Sequence, residues 1–342
     1  MKNAPLISVV LPVYNVAPYI KEALDSVLNQ TIQDFEIIVI DDCSTDNTLE
    51  VIESIKDARI RIIKKSENKG LIDSLNIGFT EAKGEFIARM DGDDLNTPDR
   101  FEKQLHILQN NSEITACGCW LQCFGTSNKI IKHKQYHKEI QAHLLLSNSM
   151  SLGATMLKTS AYRSFKFDET KLHAEDYDFW AKTAWESKMY NIQEVLYLYR
   201  VHDKQVSTKH KSIQIQGDIE IKLFLFKKLK YDTVIFTDVM ITKLLLLNKP
   251  IEIKEIKLFL KWIKTLIYLN KKVDVYSQSD FKNVLNEIKK VIIFKLYFTS
   301  IGIKISKKWR FQTLLILPLE DILYVLKLKF REKKKLIFKV KH

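Results

Sequence analysis

Apolar runs and helical patterns alternate through the first ninety residues of the chain. Ile7–Val13 is almost continuously apolar, as a strand buried on both faces is. Pro18 opens a helical pattern that reaches about Asn29. A second buried strand covers 35–40 and ends in Asp41-Asp42, after which Ser44, Thr45 and Asp46 offer N-caps for a helix through Ile55. A third strand is read at 60–63, a helix over 71–82 with apolar positions 71, 72, 75 and 79, and a fourth strand at 86–90. Repeated strand–helix units predict an α/β fold with a doubly wound, mostly parallel sheet. Such sheets bind ligands at the strands' carboxyl ends, and Asn15, Asp41/Asp42 and Asp91/Asp93 all fall there.

The later chain changes character. Over 254–270, Ile256, Phe259, Leu260, Ile263, Leu266 and Ile267 recur at helical spacing, with Lys257, Lys261 and Lys264 on the other side. Residues 281–298 and 322–340 behave similarly. Charge divides the same way. Residues 1–203 carry 23 Lys+Arg against 29 Asp+Glu, and 204–342 carry 31 against 12. The shift marks a boundary near Asp203, between a front domain at 1–205 and a basic, mostly α-helical region at 206–342. Such a region seeks nucleic acid or acidic headgroups. Its only arginines are Arg310 and Arg331, which disfavours base reading and leaves no nucleic-acid partner expected. A helical bundle with a solvated Lys face is the plain alternative to an anionic membrane surface. No apolar run approaches the roughly 18 residues of a spanning helix. The first residues lack a signal-peptide core, so a cytoplasmic protein is expected, with a peripheral place on the inner membrane face if the tail binds lipid. Cys117, Cys119 and Cys123 lack common zinc spacing and read as buried thiols.

The chemistry concentrates in Arg89-Met90-Asp91-Gly92-Asp93-Asp94. Three carboxylates at a strand end repel one another unless a cation compensates them, and a hard divalent ion holding phosphate is a natural compensator. An acidic turn before the helix near Pro98 fits the same residues. The turn after the first strand has no Gly, so the dinucleotide-binding glycine signature is absent, as is a P-loop.

Several strings then occur in order: Ser8-Val9-Val10-Leu11-Pro12-Val13-Tyr14-Asn15; Ile40-Asp41-Asp42-Cys43-Ser44-Thr45-Asp46-Asn47-Thr48; Asn68-Lys69-Gly70; and Gly84 through Asp94. His173-Ala174-Glu175-Asp176-Tyr177-Asp178-Phe179-Trp180 and Tyr199-Arg200-Val201-His202 follow. Together they resemble the family 2 glycosyltransferases, with the glycosyltransferase A fold, over roughly 5–207. The resemblance implies an inverting, metal-dependent enzyme, of hexosyltransferase type, taking a UDP-sugar to a glycan or lipid-linked glycan acceptor. Bacterial lipopolysaccharide or capsule assembly is the implied setting. It makes Asp93 a ligand of Mn²⁺ or Mg²⁺, with Asp91 facing the ribose and His202 near metal or phosphate. Pro12, Tyr14, Asn15 and Asp42 would form the nucleobase side, and Asn68 and Gly70 the loop over the donor. Asp176 becomes the general base, its pKa raised by Glu175 and Asp178; Glu175-Asp176 as a helix's acidic first turn is the plain reading. Gly153 through Lys158 stands where many relatives carry His and Arg, leaving acceptor contacts open. A catalytically silent nucleotide- or carbohydrate-binding module is the other functional class these residues permit.

Overall fold

The computed structural model describes residues 4–202, 211–298 and 306–339. Every residue of β1 (Ile7–Val13) is buried, because neighbouring strands and helices on both faces leave no solvated side. β2 (Phe35–Asp41), β3 (Ile60–Lys64) and β4 (Phe86–Arg89) join it in parallel, in the order β3-β2-β1-β4. The chain therefore runs outward from β1 to β3 and returns to pair β4 on the other side of β1. The crevice between the ends of β1 and β4 is the switch point at which open α/β sheets bind ligands.

The connecting helices are α1 (Ile20–Leu28), α2 (Thr48–Ser54) and α3 (Leu71–Glu81). In α3 the buried line runs through Ile72, Leu75 and Phe79 with the small residues Ser74 and Gly78 between them. Leu71, expected on that face, is exposed at the mouth of the preceding loop.

Five further strands extend the sheet. They are β5 (Leu95–Asn96), β6 (Ile114–Gly125), β7 (Ile130–Ile131), β8 (Met156–Lys158) and β9 (Lys188–Val201). From β4 the order continues β8-β6-β9-β5, with β8 antiparallel to both neighbours and β6 parallel to β9. Cys117, Cys119 and Cys123 are buried thiols of β6. Between these strands lie α4 (Arg100–Asn110), α5 (His137–His143), α6 (Thr159–Tyr162) and α7 (Glu175–Thr183). Strand β9 matters most, because its carboxyl end carries Arg200 and then His202 back to the acidic loop after β4.

The chain divides into two compact units, Met1–Ile221 and Lys222–His342. The boundary read from charge, at 205/206, lies outside the described residues. Helix α8 (Lys211–Lys227) crosses from one unit into the next. The second unit continues with α9 (Asp238–Leu246), α10 (Ile253–Val273), α11 (Gln278–Phe298), α12 (Lys307–Leu314) and α13 (Leu319–Lys339). Helix α10 buries Ile256, Phe259, Trp262, Ile263 and Leu266, and leaves Lys257, Lys261 and Lys264 exposed. Helix α11 buries Phe281, Leu285, Ile288, Ile292 and Leu296. Both amphipathic patterns are thus used to build a bundle. The last residue of the third pattern, Val340, lies outside the described residues. No helix among the described residues is long and apolar enough to cross a membrane.

Candidate active site

Loops from the first three strands build one wall of the crevice. Tyr14 leaves the end of β1 half-exposed, and Pro12 is a buried member of the strand. Asn15 follows with φ 53°, a left-handed conformation that Asn tolerates better than most residues. Its Oδ1 accepts from the Thr45 N–H at 2.8 Å and the Asp46 N–H at 3.3 Å, tying the first loop to the second. Asp42 is buried, and its carboxylate accepts from the backbone N–H of Lys69 at 2.9 Å and of Gly70 at 2.8 Å. Lys65 Nζ stands 2.6 Å from Asp42 Oδ1. Gly70 takes φ 86°, a geometry that side chains resist, and so turns its N–H onto Asp42. Asn68 is exposed on that loop.

The opposite wall is the acidic loop after β4. Asp93 Oδ2 lies 3.1 Å from His202 Nε2, although the two are 109 residues apart. Burial first and Asp91 second raise the pKa of Asp93, against the pull of His202. His202 Nδ1 is buried and has no hydrogen-bond partner. Asp94 is completely buried and accepts the Arg200 N–H at 2.8 Å. Burial, then Asp91 and Asp93, push its pKa well above the carboxylate range. Arg200 completes the clasp, donating to the Asp93 carbonyl at 2.7 Å and pairing with Glu22 at 2.6 Å. Among the described residues no group of three metal-type side chains converges; Asp93 and His202 meet as a pair.

Buried Arg89 connects this loop to α7. Its guanidinium pairs with Asp91. Burial works against its charge, but Asp91 and Asp176 hold its pKa above the ordinary value. Asp176 Oδ2 accepts the Leu152 N–H at 3.1 Å. The Asp176 pKa is raised to about 6, by burial first and by Asp91, while Arg89 draws it down. Glu175 rises to about 7 through burial and the Asp176 charge, and its Oε2 has no hydrogen-bond partner. Asp178, expected to press on Asp176, is turned away into an ion pair with Lys182 at 2.6 Å. Gly153 makes the crowding feasible. A Cβ there would stand 2.6 Å from Arg89 Nη1 and 2.7 Å from Asp91 Oδ2. The 152–155 turn that supplies both contacts is anchored from beneath, where Gln104 donates to the Ala154 carbonyl at 2.8 Å and Arg100 to the Thr155 carbonyl at 3.0 Å.

Comparison with known proteins shows the family and the fold. A family model described as glycosyl transferase family 2 matches residues 8–171. A Haemophilus influenzae protein, named only as an uncharacterized glycosyltransferase, is 37% identical over 237 residues, covering 65% of this chain and 73% of its own length. The chain belongs to glycosyltransferase family 2. Solved structures of the same fold include S. aureus TarS 1–349 in complex with UDP-GlcNAc, at TM-score 0.58 and 15% identity over 86% of this chain and 93% of that one. Another is the mannosyltransferase PcManGT from Pyrobaculum calidifontis with GDP-Man and Mn²⁺, at TM-score 0.52 and 17% identity over 95% and 86%.

In this glycosyltransferase the structure gathers Asp91, Asp93 and His202 around one loop, and Arg89 links that loop to Asp176. Tyr14, Asn15, Asp42, Asn68 and Gly70 sit on the three loops of the facing wall. Glu175 and Asp176 do begin α7, as the plain reading of an acidic first turn expects. Sequence reading assigns no role to Arg89, to Gly153 or to Tyr197, whose hydroxyl accepts the Asp91 N–H at 3.1 Å. A lone Arg at a buried strand end before three acids was the one available signal. A separate cavity of about 780 Å³ opens at the amino ends of β1, β2 and β4, among Leu6, Asp34, Gly84 and Arg163. It lies at the wrong end of the strands for this chemistry.

Proposed function

We propose that this enzyme is an inverting, metal-dependent glycosyltransferase that moves a sugar from a UDP-sugar to a lipid-linked glycan, as in lipopolysaccharide or capsule assembly. The observation that carries the reading is the arrangement at the switch point. An Asp93–His202 pair and an anchored Asp176 are joined through Asp91 and Arg89. Tyr14 offers a ring face to the base. Asp42 Oδ2, with one backbone donor, keeps a lone pair for a uracil imide or a ribose hydroxyl. Asn15 and Gly70 act by holding the loops that frame this space, and Asn68 lines its rim.

The donor set fits a hard ion. The Asp93 carboxylate suits Mn²⁺ or Mg²⁺ taking its remaining ligands from phosphate and water, the His202 imidazole favours Mn²⁺ of the two, and the open His202 Nδ1 permits the tautomer in which Nε2 is the ligand. Asp93 and His202 would hold that ion, whose charge stabilises the departing diphosphate. In the transfer, Asp176 accepts the proton of an acceptor hydroxyl whose oxygen forms the bond to the anomeric carbon. The bond from that carbon to the diphosphate breaks on the opposite face, and UDP leaves with the electron pair. Asp176 suits the role better than Glu175. The Leu152 N–H and Arg89 favour its charged form, whereas Glu175 has less support.

A thermal-shift screen of nucleotide sugars tests the donor. UDP-sugars with Mn²⁺ are expected to raise the melting temperature, and a chelator should remove the shift, because a bound donor stabilises the fold by mass action. Stabilisation by GDP-mannose with none from any UDP-sugar would reject the UDP assignment.

A further inference from the structure

The amphipathic helices of the second unit do not all spend their apolar faces in its core. Helices α10 and α11 turn theirs inward. Helix α12 and the start of α13 have apolar residues on two sides. Thr313, Leu317, Asp321 and Val325 form the buried side. Phe311 and Leu315 at the end of α12, and Leu319, Leu323 and Leu326 at the start of α13, lie on either side of the turn at 315–318 and are 42 to 72% exposed. Five large apolar side chains left in water within sixteen residues mark a surface built to be covered.

Charge selects what covers it. Residues 307–339 hold ten Lys+Arg against three Asp+Glu. Two of those acids, Glu320 and Asp321, both pair with Lys289, at 2.7 and 3.0 Å, which offsets one of their two charges. Lys308, Lys327 and Lys329 remain exposed beside the apolar patch. Two copies of so cationic a face would repel each other, whereas an anionic lipid surface attracts it and also accepts apolar side chains. We infer that the outer face of α12 and α13 is a membrane-docking surface. Its apolar patch enters the headgroup boundary of an anionic bilayer, and Lys308, Lys327 and Lys329 meet the lipid phosphates. The docking face falls on α12 and α13 because α10 and α11, with the same basic amphipathic pattern, bury their main apolar stripes and expose fewer large apolar side chains, Tyr268 and Val273 on the one and Val291 and Phe294 on the other. The inference stands independently of the donor and of the transfer chemistry.

Co-sedimentation of the full chain with vesicles tests it. The protein is expected to sediment with phosphatidylcholine–phosphatidylglycerol vesicles and to stay in solution with phosphatidylcholine alone. It should be released as salt rises, since screening shortens from about 10 Å at 0.1 M to about 3 Å at 1 M. A Leu319→Glu/Leu323→Glu double variant should lose about tenfold or more in vesicle binding with its melting temperature unchanged, because both side chains are already exposed. Three results would overturn the inference. The wild-type chain could ignore anionic vesicles at low salt, or the double variant could bind them as well as wild type. The double variant could also convert a dimer into a monomer while wild type leaves vesicles untouched, which would make the patch a contact between two copies.

Discussion

Asp176→Asn is expected to lower kcat by about 10²- to 10⁴-fold with UDP-sugar affinity nearly unchanged. The amide is almost the same size and can still accept the Leu152 N–H, so α7 and the 152–155 turn should hold their places. What disappears is a group able to take the hydroxyl proton as the new bond forms. The loss therefore falls on the chemical step and not on donor binding. If Asp176 served only as a helix-start acid, its removal would cost about 0.3–1 kcal/mol of stability and leave turnover intact. The pH profile adds an independent mark. A base must be ionised to act, so kcat/KM for the donor should fall as pH drops through about 6, the value to which burial and Asp91 raise Asp176 against the pull of Arg89. Near-normal turnover in the variant, with an unchanged acid limb, would return the proton-accepting role to another group.

Asp93→Asn is expected to abolish measurable transfer and to weaken UDP binding only when metal is present. Burial and Asp91 make the Asp93 charge costly, and a divalent ion held between Asp93 and His202, 3.1 Å apart, would relieve that cost. An amide gives up the charge that attracts the ion but keeps the volume, so the loop clasped by Arg200 and Asp94 should persist. Titration calorimetry of UDP with and without Mn²⁺ separates the two effects. Wild type should show a metal-dependent gain that the variant lacks. Equal, metal-independent binding in both proteins would remove the ion from Asp93.

The first four strands were legible because each is an apolar run closed by turn chemistry, and the parallel units between them are short and local. The rest of the sheet was not. Strand β6 carries Gln122 and three cysteines, and β9 carries Asn191, Gln193, Glu194 and Arg200, so neither shows a clean period of two. Their pairing has register shifts around Trp120, which local patterning does not encode. In the site, side chains on strand-end motifs could be named from order and residue type, and Asp93 and His202 do meet. The anchoring beneath them was invisible. Gly153 matters only because Arg89 and Asp91 fold back onto it, and Asp178 reads as a neighbour of Asp176 until the helix turns it toward Lys182. The tail shows the same limit. Three helices share one amphipathic pattern, and only packing reveals which of them keeps an apolar patch outside.

The central claim, a single displacement at the anomeric carbon of a UDP-sugar, is tested most directly by proton NMR of slow donor hydrolysis, with water in place of the unidentified acceptor. Incubated with Mn²⁺ and an α-linked UDP-sugar identified by the thermal-shift screen, the enzyme should release the sugar first as the β-anomer, before mutarotation mixes the forms. The signal should be absent from Asp176→Asn. Initial release of the α-anomer would contradict inversion and, with it, the role assigned to Asp176.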